Sequence, residues 1–298
     1  MKKEFAMIAI TGATGNIGSK IATDLLSKEQ TVRCIARTAD NLKSLEAKGA
    51  ETAVISLEDA AALANAFADV DAVFAMIPPH YQAPDFRAYQ NTAGASIAAA
   101  VETSGVKYVV NLSSQGAHLP HKTGLIKGLY DQEQRLNKLK GVNVLHLRPT
   151  YFMENLLANI DTIKQMNIMG SAIQGDMKIP MIATQDIAAF AAERLIKKDF
   201  SEMPVKDLLG QRDLSMNEAA EIIGRKINMP DLRYVQFSYE DMEKALAGMG
   251  FSADVARLFI EMSKAFNEGL IDTPRTRGNT TQTPFEDFAV MFADIFFA

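Results

Sequence analysis

Blocks of hydrophobic residues alternate with amphipathic stretches along the first half of the chain. Short apolar runs such as residues 72–76 are typical of strands buried on both faces, whereas residues 17–27 have helical periodicity. The predicted strands are residues 5–11, 31–36, 51–56, 72–77, 107–112 and 142–147. The predicted helices between them are residues 17–28, 41–48, 59–67, 85–104 and 127–139. This alternation predicts an α/β fold with a Rossmann-type, doubly wound parallel sheet.

The pattern changes near residue 150, beyond which helical periodicity dominates. Short strands are predicted at residues 178–181 and 205–209, and a surface loop at 271–282. Ser215 and Thr283 each begin a capping-box pattern, and Asp186 is predicted to cap a helix. The last capping box predicts a helix over residues 285–297. We therefore expect residues 151–298 to form a smaller, mostly helical lobe, with segments that return to the sheet and a cleft between the two parts.

Composition and charge exclude several classes of protein. The 298 residues carry a net charge of −5, which gives no general attraction to nucleic acid, and no apolar run approaches the ~20 residues of a membrane span. Cys34, the single cysteine, lies in a β-branched strand pattern where buried packing is favoured over reactivity. Residues 1–4 lead directly into the first strand and leave no room for a signal peptide. We expect a cytoplasmic protein that binds neither nucleic acid nor membranes.

A glycine-rich turn lies between the first predicted strand and the first predicted helix, and it reads Gly12-Ala13-Thr14-Gly15-Asn16-Ile17-Gly18. Glycine lets the backbone fold tightly and approach a phosphate, and the helix start offers N–H groups and the positive end of its dipole. Strand, glycine turn and helix in this order predict a site for a dinucleotide pyrophosphate. The residues expected to bind it are Gly12, Thr14, Gly15, Asn16, Ile17 and Gly18.

Arg37 follows the second predicted strand, at the place where an acidic residue would bind the ribose 2′-hydroxyl of NAD(H). An arginine there instead accommodates a 2′-phosphate. The sequence therefore predicts NADP(H) in preference to NAD(H), and residues 1–150 as the NAD(P)-binding domain.

Ser113 and Tyr130 are candidates for chemistry near the nicotinamide. The Ser113 hydroxyl follows the fifth strand and can bond a carboxamide or a substrate oxygen, but serine also favours turns at strand ends, and both interpretations stay open. Acid catalysis by a tyrosine requires a pKa lowered from about 10, usually by a cation one helical turn away. That position holds the neutral Gln134, so positioning or packing is favoured for Tyr130.

The loops after the fourth and sixth strands supply further candidates. Tyr151 and Phe152 can form aromatic walls and Asn155 can make a hydrogen bond, although a core-forming helix start is the alternative there. His80 can protonate a reduced product, although an exposed loop histidine is the commoner case. The predicted substrate pocket comprises His80, Tyr81, Tyr130, Phe152 and Asn155. The catalytic candidates are Tyr130, Ser113 and Asn155.

Two other chemistries lack their residue patterns. His118, His121 and His146 are scattered, with no cysteine or carboxylate at ligand spacing, so no metal site is predicted. A Gly-x-Ser-x-Gly elbow is also missing, which leaves acyl-transfer hydrolysis without support.

Several segments together resemble the NmrA-like branch of the atypical short-chain dehydrogenase/reductases. They are residues 11–18, 36–37, 111–114, 147–149, 152–155 and 184–188. The glycine pattern marks the superfamily, whereas Arg148-Pro149 with Phe152 and Asn155 points to this branch. The resemblance implies a Rossmann domain that binds NADP(H), with Lys43 near the phosphate and Met76, Ile77 and Pro78 near the ribose. We also expect Pro149 and Tyr151, beyond the sixth strand, to contact the cofactor.

The chain departs from the wider superfamily at Gln134, where the catalytic signature of tyrosine, three residues and lysine requires the lysine. Such loss is common in this branch, whose members resemble NAD(P)H:quinone or azo-type reductases or nucleotide-sensing regulators without turnover. Direct hydride transfer to an electron-poor ring needs orientation rather than a tuned acid or base.

Two hypotheses of function follow. The first is an NADPH-dependent reductase of small aromatic, quinone-like or azo acceptors. The second is a non-catalytic module that senses the NADP(H) redox state and acts through a regulatory protein partner. A sugar epimerase or an alcohol dehydrogenase would need the missing tyrosine–lysine pair and is disfavoured.

Overall fold

A computed structural model describes residues 7–298 of the chain. The polar N-terminus at residues 1–4 and the first two residues of the predicted first strand, 5 and 6, lie outside the described residues.

The described residues form nine strands, and all but two of these lie in one parallel sheet. The strands are β1 (Met7–Thr11), β2 (Thr31–Ala36), β3 (Glu51–Val54), β4 (Ala72–Ala75), β5 (Tyr108–Leu112), β6 (Asn143–Pro149), β7 (Ile168–Ser171), β8 (Val205–Leu208) and β9 (Arg233–Gln236). The main sheet has the order β3-β2-β1-β4-β5-β6-β8, and β7 pairs with β9 in a separate parallel ribbon.

Helices cover both faces of the main sheet, as its nearly continuous apolar strands require. The helices are α1 (Gly18–Ser27), α2 (Lys43–Glu46), α3 (Ala60–Ala66), α4 (Phe86–Ser104), α5 (Lys127–Leu136), α6 (Ile160–Met166), α7 (Thr184–Lys197), α8 (Met216–Lys226), α9 (Tyr239–Gly248), α10 (Ala253–Asn267) and α11 (Phe285–Phe297). One core joins α1 and α7 to the sheet, and another joins α3 and α4 to its opposite face. The predicted doubly wound, Rossmann-type fold is confirmed.

The strand order reverses at β1, which pairs with β2 on one side and β4 on the other. In such sheets the crevice beyond the carboxyl ends of the strands at the reversal point binds ligands. Thr11 ends β1 and holds β4 there, because its hydroxyl donates to the carbonyl oxygens of Phe74 and Met76 and accepts from the Met76 N–H at 2.8 Å.

The second half of the chain is largely helical, as predicted, and part of it rejoins the sheet. β8 pairs with β6, and α7 packs on the sheet beside α1. Other residues of this half, among them Ile223, Phe285 and Phe288, share a core of their own. A boundary between two domains at residue 150 stays a prediction.

Three local predictions are wrong. Residues 178–181 are not a strand, because Ile179 makes only an isolated bridge with Leu214. Thr283 does not begin a capping box: α11 begins after Pro284, and the Thr283 hydroxyl donates to Asp186 at 2.6 Å. Asp186 therefore does not cap its own helix but anchors the start of α11. The predicted capping box at Ser215 is confirmed.

Cys34 lies in the centre of β2 and is fully buried. Burial raises the pKa of its thiol to about 12, which confirms the predicted packing role. Across residues 7–298, none of the helices combines the length and the apolar character needed to cross a membrane.

Candidate functional site

The glycine turn between β1 and α1 folds back on itself at the carboxyl end of the sheet. Gly12 has a φ of +63°, and a Cβ there would lie 2.4 Å from Met76 Sδ. A Cβ on Gly18 would lie 2.2 Å from the Gly12 carbonyl oxygen. Both contacts are too short for any side chain, so close packing of the turn requires glycine at both positions.

The N-terminus of α1 has no side-chain cap and no acidic residue in its first turn. The N-terminus of α7, which opens on the same cavity, is different. The Thr184 N–H donates to both carboxylate oxygens of Glu154, at 3.0 Å to Oε1 and 3.1 Å to Oε2. The Thr184 hydroxyl also donates to Glu154 Oε1. N–H groups at a helix start attract negative charge. The start of α7 is therefore already occupied by the Glu154 carboxylate, whereas the start of α1 can still bind an anion.

A cavity of about 460 Å³, here called the glycine-loop cavity, lies between this turn and the ends of β2 and β4. Its lining includes the predicted residues Gly12, Thr14, Gly15, Asn16, Ile17, Arg37, Met76 and Pro78. Arg37 is exposed, and no residue within 7–298 forms an ion pair or hydrogen bond with its guanidinium. These features fit a dinucleotide with a third phosphate. The uncapped start of α1 and the tight glycine turn can bind the pyrophosphate, and the exposed Arg37 guanidinium can bind the 2′-phosphate.

A second cavity of about 720 Å³, here called the apolar cavity, lies between the main sheet and α9–α10. Its walls include Met242, Leu246, Phe251, Phe259 and Met262. Tyr81, Phe152 and Asn155 line both cavities. These three residues, all predicted for the substrate pocket, therefore mark the junction between the two spaces.

Tyr81 and the nearby Ala83 connect the loop after β4 to the segment between α9 and α10. The Tyr81 ring stacks on Phe251 with centroids 4.6 Å apart and planes within 3°. The Ser252 N–H donates to the Tyr81 carbonyl oxygen at 2.9 Å, and the Ser252 hydroxyl donates to the Ala83 carbonyl oxygen at 2.6 Å. Burial raises the pKa of Tyr81, so its phenol stays protonated at neutral pH.

Ser113 is buried just beyond the end of β5. Its hydroxyl donates to Glu133, which also accepts from Arg148. The serine hydroxyl is thus engaged inside the protein, and its neighbours Ser114 and Gln115 line the apolar cavity instead. The sequence did not reveal this network, because Glu133 and Arg148 approach Ser113 from α5 and β6.

Other predicted residues lie away from the two cavities. Tyr130 and Pro149 line neither of these cavities within residues 7–298, and neither do Gly18 and Ile77. Lys43 forms an exposed ion pair with Asp40 at 2.7 Å. Tyr151 lines the apolar cavity rather than the glycine-loop cavity, and burial raises its pKa. The catalytic and substrate role of Tyr130 and the cofactor roles of the other residues stay predictions.

His80 lines a third cavity of about 400 Å³ together with Arg37 and Tyr89. Its ring centroid lies 5.3 Å from that of Tyr89, and its buried Nδ1 has no hydrogen-bond partner within residues 7–298. A role for His80 at the substrate therefore stays a prediction. Residues 7–298 also contain no group of three or more histidine, cysteine, aspartate or glutamate side chains that could hold a metal ion.

The NmrA-like family model matches residues 4–286 of this chain. The NAD(P)H azoreductase of Xenophilus azovorans is 29% identical over 295 residues, which span 97% of this chain and 99% of that protein. Quinone oxidoreductase 2 of Escherichia coli is 27% identical in an alignment that covers 96% of this chain and 99% of that protein. The solved structure of an NADPH-dependent quinone oxidoreductase from Escherichia coli, complexed with NADPH, has a TM-score of 0.80 at 21% identity and covers 96% of this chain and 99% of that chain.

Proposed function

This chain belongs to the NmrA-like family, and from that premise and its joined cavities we propose that it is an NADPH-dependent reductase of quinone-like or azo acceptors. Relatives named as an NAD(P)H azoreductase and a quinone oxidoreductase align over nearly the whole chain, so the proposal draws on the entire fold.

The observation that carries the proposal is the wall shared by the two cavities. Tyr81, Phe152 and Asn155 line both spaces, so a hydride donor in one can contact an acceptor in the other. When a protein holds two reactants at contact distance, their reaction becomes effectively unimolecular, and this contributes a large part of the rate enhancement of an enzyme.

The residues that would hold NADP(H) are those of the glycine-loop cavity. The backbone from Gly12 to Gly18 and the open start of α1 would receive the pyrophosphate, and Arg37 would receive the 2′-phosphate. When bound, NADPH supplies a hydride, and a proton from solvent completes the reduction of a quinone to a hydroquinone.

The protein's own contribution is orientation rather than proton transfer. Asn155 is a neutral amide and the phenol of Tyr81 stays protonated, so both can hydrogen-bond an acceptor oxygen without titrating. Phe152 supplies an apolar wall at the same junction. This arrangement suits an electron-poor ring, whose reduction needs no tuned base.

The test is the oxidation of NADPH by the purified protein with a panel of quinones and azo dyes. We expect the NADPH absorbance to fall only when an acceptor is present. Gly15→Val is the binding-deficient comparison: Gly15 is exposed, lines the glycine-loop cavity, and a Cβ there meets only the Gly12 carbonyl oxygen at 3.4 Å, so we expect the variant to fold and to obstruct the cavity. This variant should lose cofactor binding and turnover together.

Tight NADP(H) binding with no turnover across the panel would contradict the reductase. That result would instead favour a module that senses NADP(H) and acts through a regulatory protein partner, and discrimination between NADPH and NADP⁺ in the same titration would support it.

A further inference from the structure

The apolar cavity carries no positive charge. Its lining within residues 7–298 includes no lysine, arginine or histidine, and its only carboxylic acids are Glu154 and Asp241. Glu154 is already bound by Thr184, and Lys20 Nζ lies 3.8 Å from it. Asp241 is exposed and accepts from the Ser238 hydroxyl at 2.6 Å. An anion entering this cavity would lose its hydration without gaining a cation.

One polar side chain in the wall has unused hydrogen-bonding capacity. Gln115 is 4% exposed and lines the apolar cavity just beyond β5. Its Nε2 donates to the Thr273 hydroxyl at 3.2 Å, but its Oε1 has no partner among the described residues. A buried amide oxygen without a partner costs about 1–3 kcal/mol, so a rotation of the Gln115 side chain that brings this oxygen to a donor in the cavity is favoured.

The Gln115 amide can serve either redox form of an acceptor. A threonine hydroxyl both donates and accepts, so Thr273 can bond either end of the amide. The remaining end is then an N–H donor for a quinone oxygen or a carbonyl acceptor for a hydroquinone O–H. Leu112, the last residue of β5, lines the glycine-loop cavity, and Gln115, three positions later, lines the apolar cavity, so the end of β5 borders both spaces.

Resting on the proposed function, we propose that the apolar cavity selects extended, uncharged acceptors and that Gln115 binds their oxygen or nitrogen. A volume of about 720 Å³ far exceeds one quinone ring and matches a molecule of several rings. The walls from α9 and α10 then cover the apolar body, while the amide fixes the reactive end.

The first test compares two anthraquinones that differ in charge. The dissociation constants of 2-(hydroxymethyl)anthraquinone and anthraquinone-2-sulfonate are measured on protein saturated with NADP⁺, so that no turnover intervenes. We expect the neutral quinone to bind at least ~10-fold more tightly, because the sulfonate finds no cation. Equal or tighter binding of the sulfonate would overturn the proposal.

This test separates the two proposals. Selective binding of the neutral quinone without NADPH oxidation would contradict the reductase and leave the selectivity intact. Turnover of both quinones with equal affinity would leave the reductase intact and contradict the selectivity.

The second test assigns the role of Gln115. Gln115→Leu should raise the dissociation constant of the neutral quinone roughly 3- to 10-fold, the effect of one lost neutral hydrogen bond. Thr273→Val removes the internal partner of Gln115 but keeps its amide, and it should change binding by less than about twofold. Equal losses in both variants would show that Gln115 only ties down the Thr273 loop. Gln115→Met, of similar volume, replaces the leucine variant if that one unfolds.

The third test adds the missing cation. Met166 lines the cavity and is 61% exposed, so Met166→Lys can be introduced without disturbing the core. We expect it to tighten sulfonate binding by about fivefold, whereas Met166→Gln should not. A lysine that leaves sulfonate binding unchanged would show that charge does not govern entry.

Discussion

Arg148 binds Glu133 through two nitrogens, with Nε 2.9 Å from Oε1 and Nη2 2.5 Å from Oε2. The glutamate side chain is only 2% exposed, and Ser113 donates to the same carboxylate. The pair therefore joins α5 to β6, and Ser113 links both to the end of β5.

Removing the arginine should strongly destabilise the protein. Arg148→Leu leaves a buried carboxylate without its cation, and we expect the free energy of unfolding to fall by roughly 3–5 kcal/mol in chemical denaturation. Lys244→Ala, which breaks the exposed pair with Glu240, is the control and should change it by less than about 0.5 kcal/mol. Similar losses in the two variants would contradict the importance of burial.

His146 should make stability fall in acid. Burial lowers its pKa to about 4, and its ring nitrogens contact Asn111 at 3.1 Å and Asn137 at 2.9 Å. The unfolded chain takes up this proton near pH 6.5 and the folded chain only near pH 4, so stability is lost as pH falls between these values, by about 3 kcal/mol at pH 4. His146→Gln should flatten this part of the curve of unfolding free energy against pH. An unchanged slope would exclude His146 as its source.

Arg37 should set the preference between the two pyridine nucleotides. Arg37→Asp replaces the guanidinium in the glycine-loop cavity with a carboxylate, and we expect NADPH affinity to fall roughly 10- to 100-fold in calorimetric titration while NADH affinity is largely kept. Arg33→Gln, four positions earlier within β2 and paired with Glu51, is the matched control. Equal weakening of both nucleotides by the Arg37 variant would contradict recognition of the 2′-phosphate.

Asp186 should hold the last helix in place. Its two oxygens accept from the Thr283 N–H at 3.1 Å and from the Thr283 hydroxyl at 2.6 Å, which joins α7 to the start of α11. Asp186→Ala should cost about 1.5–3 kcal/mol of unfolding free energy and speed proteolysis near residue 283. Thr283→Val keeps the backbone donor and should show a smaller loss. Unaltered proteolysis in the alanine variant would show that α11 is held by its apolar face alone.

Local sequence patterns were enough to predict the Rossmann-type sheet and the residues at its carboxyl edge. The glycine turn follows β1 and Arg37 follows β2. Because the carboxyl ends of neighbouring parallel strands lie at the same edge of a sheet, the two features had to meet there. Tyr81, Phe152 and Asn155 follow β4 and β6 and reach the same edge, so their meeting was also predictable.

Contacts between distant segments were not predictable. β7 and β9 pair with each other across a long sequence separation, and neither has a strong alternating pattern. The roles of Asp186 and Glu154 were missed for the same reason, since each carboxylate binds a residue that sequence spacing does not bring near. Gln115 belongs to no motif, and it lines the apolar cavity only because the folded chain brings α9 and α10 opposite the end of β5.

The burial of Cys34 has a practical use. As the chain's single cysteine, sealed within β2, it gives maleimide reagents nothing to attack in the folded protein. A cysteine introduced at Met249, which is 60% exposed at the end of α9, would therefore be the one labelled position. Because Met249 lines the apolar cavity, a fluorophore there would report the entry of acceptors.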